Sequence, residues 1–407
     1  MKKILILLFV GVVAWGCHQP SSERVPYSKT LGTPPDSEVW YTTNDGTMIT
    51  TLDEGAFNVG IKEHLYTDGV GVIRFDGALT TIGDEAFYGC NRVDNISLPR
   101  SVESIGSMAF YDCNALGCIS LGGALRECGE NAFEGSFNLT TVHIADLASW
   151  CAVKFKGVRS NPIYFASLIC LNEKPVKALV IPEGVTSIGE YAFCNLVAIN
   201  SVSLPASLIS VGRGAFEDCL LLERVDISDA NSWCRVEFED IYSNPLYYGG
   251  ELYLKGSKFT ALKVDSDVVE IGQHAFVNCT SLKTVDLGYC VKRIGDGAFS
   301  GCRSIAKANL GSGVRRVGDE AFRNATAMSQ VVIGEMVDVI GHRAFMGCYS
   351  LQNIYCDATT PPTLADSYTF AYGAEHRRFF VPEEAVQSYK ESDMWEQYAA
   401  DIYPYTY

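Results

Sequence analysis

The sequence predicts a solenoid, a single β-rich stack of similar coils with a short helical turn in each 23-residue repeat. An Ala-Phe pair returns along most of the chain, and successive copies are separated by 23 or 60 residues. The phenylalanines of these pairs are Phe87, Phe110, Phe133, Phe193, Phe216, Phe276, Phe299, Phe322 and Phe345. A structural repeat explains this period because each unit must present the same face to its neighbours.

Each unit also repeats a set of apolar positions around the Ala-Phe pair. An Ile-Gly pair usually precedes it, as in Ile82-Gly83, and an alternating pair such as Ile96-x-Leu98 follows it. The alternation has the period of a short strand, and the Pro or Gly that often comes next turns the chain. One unit cannot bury its inward side chains alone, so we expect stacked units with a ladder of phenylalanine rings.

Cysteine recurs three residues after the phenylalanine in six of the nine units. The other three units carry Ser136, Leu196 and Ala325 at this position. A position that accepts Leu or Ala indicates a small buried side chain and not an obligatory cross-link, so we expect free thiols. Adjacent coils would nevertheless bring Cys90 and Cys113 about 5 Å apart, a separation at which a disulfide can form.

The repeat carries a resemblance to a known family. Residues 81–90 (TIGDEAFYGC), followed by Val93-x-x-Ile96-x-Leu98-Pro99, resemble the BspA-like leucine-rich repeat of bacterial surface proteins, over about residues 73–356. The resemblance implies a leucine-rich-repeat solenoid in a surface lipoprotein of the Bacteroides type. It also implies attachment to host matrix proteins or to other bacteria.

Composition agrees with a folded protein that has few anionic partners. The chain has 407 residues, of which 47% are hydrophobic and 20% charged, and its net charge is −16. Nucleic acid and anionic membrane surfaces are poor partners because their phosphates repel an acidic face. The caps at both ends of the solenoid predict a monomer.

The N-terminal sequence indicates a targeting segment. Lys2 and Lys3 precede an apolar run over residues 4–13, which is too short to span a bilayer, and the run ends in Ala14-Trp15-Gly16-Cys17. This resembles a bacterial lipoprotein signal with Cys17 as the lipid attachment site, and the alternative is an ordinary secretory signal. The expected location is the outer membrane, at the cell surface or on the periplasmic face, with contact to the membrane only through the lipid.

The sequence divides into five regions. These are a lipoprotein signal (1–17), a flexible tether (18–37), an N-terminal cap (38–76), the repeats (77–356) and a C-terminal cap (357–407). The N-terminal cap is predicted to contain a β-hairpin of residues 39–43 and 47–50 around Asn44-Asp45-Gly46. The C-terminal cap is predicted to contain a short helix over 381–390.

Two insertions interrupt the repeats, at about 145–176 and 228–261, and they match each other at an offset of 83 residues. Each is predicted to form a helical turn, an Asn-Pro loop and a hairpin (Leu168–Leu171 with 179–181, and 252–254 with 262–264). The insertions could project beside the solenoid as binding platforms, since insertions in repeat proteins often fall on the binding face. Their aromatic residues are candidates for ligand binding, although they could instead pack the insertion on the solenoid. The candidates are Trp150, Tyr164, Trp233, Tyr247 and Tyr248.

No pattern in the sequence indicates catalysis. The six histidines include no pair at metal-ligand spacing, and there is no phosphate-binding glycine loop and no Gly-x-Ser-x-Gly elbow. We therefore expect no catalytic residues, no metal and no cofactor. The leading hypothesis is a non-catalytic binding or adhesion scaffold for a protein ligand. The alternatives are a glycan-binding accessory protein or polysaccharide-handling enzyme that uses the aromatic insertions, and a purely structural role in the envelope.

Overall fold

The computed structural model describes residues 30–166, 168–264 and 267–405, and there the chain forms a stack of coils. Each regular coil contributes a strand of three to five residues to one sheet and a two-residue strand to a second sheet. We call these the long-strand and short-strand sheets. Neighbouring coils pair in parallel with a 23-residue offset, for example Ile96 with Ile119 and Ile82 with Ile105. The predicted leucine-rich-repeat solenoid is confirmed.

The long-strand side is divided into three separate sheets. In order across the first sheet the strands are Lys174–Pro175, Leu168–Leu171, Thr141–Ile144, Cys118–Leu121, Val93–Ser97, Glu38–Thr43, Val70–Phe75 and Ile61–Thr67. Those of the second sheet are Ala178–Val180, Ser201–Leu204, Arg224–Ile227, Glu251–Leu254 and Ser257–Lys258. Those of the third sheet are Ala261–Lys263, Thr284–Asp286, Lys307–Asn309, Gln330–Ile333, Asn353–Cys356, Arg378–Pro382 and Ile402–Tyr405.

The short-strand side is divided at the same places. Its first sheet contains Lys154–Phe155, Glu127–Cys128, Ser104–Ile105 and Thr81–Ile82. Its second sheet contains Ser187–Ile188, Ser210–Val211 and Glu237–Phe238. Its third sheet contains Glu270–Ile271, Arg293–Ile294, Arg316–Val317, Val339–Ile340 and Thr363–Leu364. We refer to the resulting groups of coils as the first (38–175), second (178–258) and third (261–405) blocks.

Helices are few and short. The α-helices are α1 (Leu147–Cys151), α2 (Ala230–Cys234) and α3 (Val386–Glu391). The 3-10 helices are Glu54–Ala56, Val158–Ser160, Pro162–Tyr164, Ile241–Ser243, Glu383–Ala385 and Glu396–Asp401. Among the residues that the structure describes, no helix has the length and hydropathy needed to cross a bilayer.

The core of the stack is the predicted ladder of phenylalanine rings. Phe87 and Phe110 stack with ring centroids 5.0 Å apart and an angle of 4° between their planes. The same parallel stacking runs through the third block from Phe276 to Phe345 and continues onto Phe370. Each of these rings is fully buried. The hydrophobic effect and contact between identical rings in adjacent coils therefore stabilise the stack together.

The cysteine position forms a second ladder, in which the thiols also donate hydrogen bonds. Cys113 donates from Sγ to the carbonyl oxygen of Phe87 at 3.1 Å, and Cys219 does the same to Phe193 at 3.2 Å. Ser136 makes the equivalent bond to Phe110 at 2.9 Å, which explains why Ser replaces Cys there. None of the fourteen cysteines in the described segments is in a disulfide, and all but Cys290 are buried.

The segment predicted as a short helical turn is a run of tight turns. In the first repeat, the amide nitrogens of Tyr88 and Cys90 donate to the carbonyl oxygens of Glu85 and Phe87 at 2.9 and 3.1 Å. Glu85 has a φ of 56°, in the left-handed region, and the eight equivalent residues of the other repeats lie between 53° and 61°. Because the chain reverses its twist there, the run cannot continue as an α-helix.

The N-terminal cap contains a hairpin, but at residues other than those predicted. Glu38–Thr43 forms a strand, whereas residues 47–50 do not, so the predicted hairpin of 39–43 with 47–50 is wrong. Both edges of Glu38–Thr43 are already paired, with Val70–Phe75 on one side and Val93–Ser97 on the other. No edge is left for residues 47–50. The hairpin is instead Ile61–Thr67 with Val70–Phe75.

The insertions form irregular coils within the stack, so of the two alternatives they pack into the solenoid and do not project beside it. Lys154–Phe155 pairs in parallel with Glu127–Cys128, and Leu168–Leu171 pairs with Thr141–Ile144. The predicted helical turns are confirmed as α1 and α2. The carboxylate of Asp146 caps α1 by accepting from the amide of Ser149 at 2.8 Å.

The hairpins predicted within the insertions have different second strands. Leu168–Leu171 turns back through Asn172 and Glu173, both with positive φ, and pairs with Lys174–Pro175. Ala178–Val180 instead pairs in parallel with Ser201–Leu204 and begins the second block. The second insertion repeats this arrangement, with Glu251–Leu254 paired to Ser257–Lys258 and Ala261–Lys263 beginning the third block. In the first and second blocks the antiparallel strand occupies the sheet edge and so ends the block.

The C-terminal cap contains the predicted helix, formed by Glu383–Ala385 and α3. Trp395, Tyr398 and Ile402 are buried against the last coil, as expected. The ring of Trp395 packs edge-on against Phe379 at 5.5 Å, and its Nε1 donates to the carbonyl oxygen of Pro362 at 2.7 Å. The cap therefore continues the apolar core to the end of the stack.

Candidate functional site

The two candidate tryptophans are buried inside the irregular coils. Trp150 is 3% exposed and Trp233 is 2% exposed. Their Nε1 atoms donate to the carbonyl oxygens of Ala192 at 2.8 Å and Ala275 at 2.9 Å, each in the next block. A buried indole whose donor is already bonded cannot stack on a ligand, so both tryptophans join neighbouring blocks.

Two asparagines of the Asn-Pro loops support the same junctions. Asn161 donates from Nδ2 to the carbonyl oxygen of Tyr191 at 2.7 Å, and Asn244 donates to that of His274 at 2.8 Å. Their Oδ1 atoms accept from the backbone amides two residues later, which begins the turn that follows. The Asn-Pro loops are therefore fixed from both sides and place the tyrosines that come after them.

The three candidate tyrosines lie together with other aromatic residues at the surface. In the first insertion, Tyr164 packs edge-on against Phe165 with centroids 5.1 Å apart, and Phe165 packs against Phe137 at 6.2 Å. Phe137 is 74% exposed, the largest exposure of any large hydrophobic residue in the described part of the chain. We call Phe137, Tyr164 and Phe165 the first aromatic cluster.

The second insertion carries a similar cluster, in which Tyr247 and Tyr248 lie 83 residues after Tyr164 and Phe165. Tyr247 packs edge-on against both Tyr242 and Tyr248, with both centroid distances 5.0 Å. The hydroxyl of Tyr248 donates to Oδ1 of Asp218 at 3.3 Å. Burial raises the pKa of the Tyr247 and Tyr248 hydroxyls, so both are neutral at physiological pH. Tyr242, Tyr247 and Tyr248 form the second aromatic cluster.

Both clusters lie on one edge of the stack, where each coil turns from its short strand to its long strand. Further exposed hydrophobic residues occupy one repeated position of this edge, four residues after the ladder phenylalanine. They are Phe137, Leu220 and Tyr349, exposed by 74, 60 and 62%. We call this surface the turn edge. Its hydrophobic side chains and tyrosine hydroxyls can bind a partner by apolar contact and hydrogen bonds.

The turn edge carries none of the arrangements that catalysis by paired groups requires. The carboxyl of Glu217 has its pKa raised by partial burial and by the nearby carboxylates of Asp218 and Asp240, but no nucleophile or base is bonded to it among the described residues. Nor do the described segments bring three His, Cys, Asp or Glu side chains into an arrangement that could hold a metal ion. The exposed rings and hydroxyls of this surface can recognise a ligand.

Sequence reasoning identified Tyr164, Tyr247 and Tyr248 but missed Phe137, Phe165 and Tyr242. A signal was available for Phe137. The position four residues after the ladder phenylalanine is Asn, Thr or Arg in five of the nine repeats and Val, Leu, Phe or Tyr in the other four. A large hydrophobic residue at a position that is polar in most repeats indicates an exposed contact surface.

Comparison with protein families places the repeats in a known group. The model of the BspA type leucine-rich repeat region, in six copies, matches residues 64–161, 166–239 and 250–374. No curated protein matches the chain significantly in sequence.

Several solved structures resemble the chain at low sequence identity. A leucine-rich repeat protein from Bacteroides ovatus is 22% identical with a TM-score of 0.43, over 85% of this chain and 91% of its own. A leucine rich cell surface protein from Faecalibacterium prausnitzii is 18% identical with a TM-score of 0.45, over 91% and 97%. The pneumococcal vaccine antigen PcpA is 14% identical with a TM-score of 0.46, over 85% and 88%. Because the family model matches well over half of its residues, this chain belongs to the BspA type leucine-rich repeat family.

Proposed function

We propose that the protein is a cell-envelope lipoprotein that acts as a non-catalytic binding and adhesion scaffold. In this proposal the turn edge recognises a protein ligand, either a host matrix protein or a surface protein of another bacterium. The repeats hold the edge rigid, and its variable side chains select the ligand.

The observation that supports this proposal is the paired set of aromatic clusters. Tyr247 and Tyr248 of the second cluster lie at the places that Tyr164 and Phe165 occupy in the first insertion, and the Asn-Pro loops fix both pairs. Tyr, Phe and Leu side chains that remain exposed next to rigid backbone are typical of protein-binding surfaces.

The test compares two sets of substitutions in the full-length protein. We expect Phe137→Ser with Leu220→Ser and Tyr242→Ser to reduce capture of immobilised matrix proteins by at least tenfold. The matched control is Val180→Ser with Ile209→Ser and Val269→Ser, which removes exposed hydrophobic residues from the sheet surfaces. Equal loss of capture in both sets would contradict a binding role for the turn edge.

A glycan ligand is the second candidate, because tyrosine rings can also contact sugar rings. A glycan array separates the two functions. If the full-length protein binds a glycan and the variant Tyr164→Ala with Tyr247→Ala does not, glycan binding would be favoured over protein binding. Trp150→Ala and Trp233→Ala are unsuitable for this test. Both indoles are buried and bonded across block junctions, so their loss would change the fold as well.

The location of the protein is part of the same proposal. The signal, Cys17 and most of the tether lie outside the described residues. The proposed binding role requires exposure on the cell surface, and proteolysis of intact cells tests it. Protease added to whole cells should degrade the protein, whereas a protein on the periplasmic face would be protected until the outer membrane is opened.

A further inference from the structure

Four basic side chains form a square on the short-strand sheet of the third block. Arg293 lies directly opposite Arg316 in the parallel pairing of two strands. Lys292 and Arg315 precede them in the same two coils, and the amide of Arg315 donates to the carbonyl oxygen of Lys292 at 2.8 Å. Strands in a sheet are about 4.8 Å apart, so the square places like charges at close range, which destabilises the sheet.

Neighbouring acidic groups compensate these charges only in part. Arg293 pairs with Glu270 at 3.3 Å, Arg315 with Asp338 at 3.4 Å and Arg316 with Asp319 at 3.7 Å. All three are long ion pairs between side chains that are about half exposed, and such pairs contribute little. The amine of Lys292 donates to the carbonyl oxygen of Tyr289 at 3.3 Å. The square therefore retains hydrogen-bond donors for an additional anion.

The local charge contrasts with that of the whole chain. The square and the carboxylates paired with it comprise four basic and three acidic side chains. The chain as a whole contains 32 basic and 48 acidic residues. A local excess of basic side chains on an otherwise acidic protein creates a positive electrostatic potential there. This potential attracts the acidic part of a partner to that region.

We infer that this basic square binds a short acidic segment of a protein partner. The inference rests on the proposed binding role and names a second contact surface for it, with its chemistry. Arginine guanidinium groups bind carboxylates in a bidentate manner, and two pairs of cations in adjacent coils can engage successive acidic side chains. Tyr289, which is 68% exposed beside Lys292, would contact an apolar neighbour of those side chains.

The charges around the square favour a short acidic segment over a long polyanion. Glu270, Asp319 and Asp338 border the square, and the rest of the chain carries an excess of acidic residues. A uniformly charged glycan that extends beyond two coils would meet these carboxylates and be repelled. A segment with a few Glu or Asp residues between neutral residues matches both the basic centre and its acidic border.

The experiment measures binding of a fluorescein-labelled peptide, five Glu between Gly-Ser flanks, to the full-length protein by fluorescence anisotropy. Lys292→Ser with Arg315→Ser should weaken binding at least tenfold at low salt, and added salt should weaken binding to the unaltered protein. The control is Arg126→Ser with Lys154→Ser, two basic residues of adjacent coils at the first short-strand sheet, where Glu103 and Glu127 are neighbours. This control should bind as the unaltered protein does.

A second pair, Arg293→Gln with Arg316→Gln, removes the other side of the square and should weaken binding to a similar extent. Equal peptide binding by the unaltered protein and both pairs would overturn the inference, as would binding that salt does not weaken. Tighter binding of a sulfated oligosaccharide to the square would also overturn it, in favour of a glycan ligand. None of these outcomes bears on the turn edge, whose ligand capture is measured separately.

Discussion

At the residue scale, the backbone conformation of the repeat restricts residue choice in a way that the sequence analysis did not recognise. The residue two places after the repeat glycine is Glu85, Met108, Asn131, Tyr191, Gly214, His274, Gly297, Glu320 or Arg343. These side chains share no chemistry, but all nine positions have positive φ, and none is β-branched. Branching at Cβ adds steric cost at positive φ. The position is therefore characterised by the absence of β-branched residues and not by a shared side-chain chemistry.

This constraint predicts opposite outcomes for two substitutions of Glu85, which is exposed and has a φ of 56°. Glu85→Val should lower the free energy of unfolding by about 1–2 kcal/mol, because valine is strained at positive φ. Glu85→Gly should change it by less than about 0.5 kcal/mol, since glycine adopts this conformation without strain. Urea unfolding of the two variants checks the prediction, and an equal effect of both would contradict it.

The buried thiols predict a loss of stability at alkaline pH. Burial raises the pKa of Cys219 to about 12 from an ordinary value of 9.0. Above pH 9 the unfolded chain releases this proton while the folded chain keeps it, so the free energy of unfolding falls as pH rises towards 12. For one thiol, the free energy of unfolding falls by about 1.4 kcal/mol for each pH unit in this range.

Cys219→Ser isolates this contribution. The serine hydroxyl can donate to Phe193 as Ser136 does to Phe110, but it does not titrate in this range. Urea unfolding at pH 8, 9, 10 and 11 should show a smaller loss of stability for the variant than for the unaltered protein. Parallel curves over this range would contradict the raised thiol pKa.

At the scale of elements, the regular coils could be predicted because their residues repeat in register. The hairpins could not be predicted, because alternation of apolar and polar residues identifies a strand but does not show which neighbouring strand it pairs with. Residues 47–50 follow a turn sequence, yet both edges of the neighbouring strand are occupied by Val70–Phe75 and Val93–Ser97. The same limit applies to Ala178–Val180, which pairs forward with Ser201–Leu204. Only the folded arrangement shows which edges are free.

The division into blocks predicts how damage to the core spreads. Phe216 is fully buried and stacks on Phe193 with centroids 5.7 Å apart. Phe216→Ala should lower the free energy of unfolding by about 3–5 kcal/mol. Native-state hydrogen exchange should accelerate first within residues 178–258, because the long-strand sheet is interrupted at both ends of that block.

The control for this prediction is Phe137→Ala. Its ring is 74% exposed, so the change in free energy should be within about 0.5 kcal/mol. If exchange in Phe216→Ala rises uniformly over the three blocks, the chain unfolds as one unit and the predicted independence of the blocks is wrong.

At the scale of the whole molecule, the sequence predicted the repeat architecture and the region of the candidate site, but not which aromatic residues are exposed. Trp150 and Trp233 were indistinguishable from Tyr164 and Tyr247, since all four recur at the 83-residue offset. Their exposure depends on a contact with the next block, where the carbonyl oxygens of Ala192 and Ala275 accept from the indoles. That partner lies 42 residues later in both cases, beyond the reach of local patterns.

The anchor predicted at the N-terminus can be tested on the whole protein. Cys17→Ser should abolish acylation and move the protein from the membrane fraction to the soluble fraction, because a lipid would be its only attachment. Membrane fractionation after a high-salt wash, followed by mass analysis of the N-terminus, measures both effects. Continued sedimentation of the variant with membranes would contradict the lipoprotein assignment, and Ser22→Ala serves as a control that leaves the signal intact.

The interrupted sheets would have a mechanical consequence if the protein is held at one end by the proposed lipid anchor. Within a block, adjacent coils are joined by a ladder of backbone hydrogen bonds in both sheets. Between blocks the long-strand ladder is absent, and isolated bonds such as those from Trp150 and Asn161 join the coils. Under tension from a bound partner, the stack would stretch first at these two junctions. Each block would then absorb load as a separate segment, so that extension at a junction protects the cores on either side.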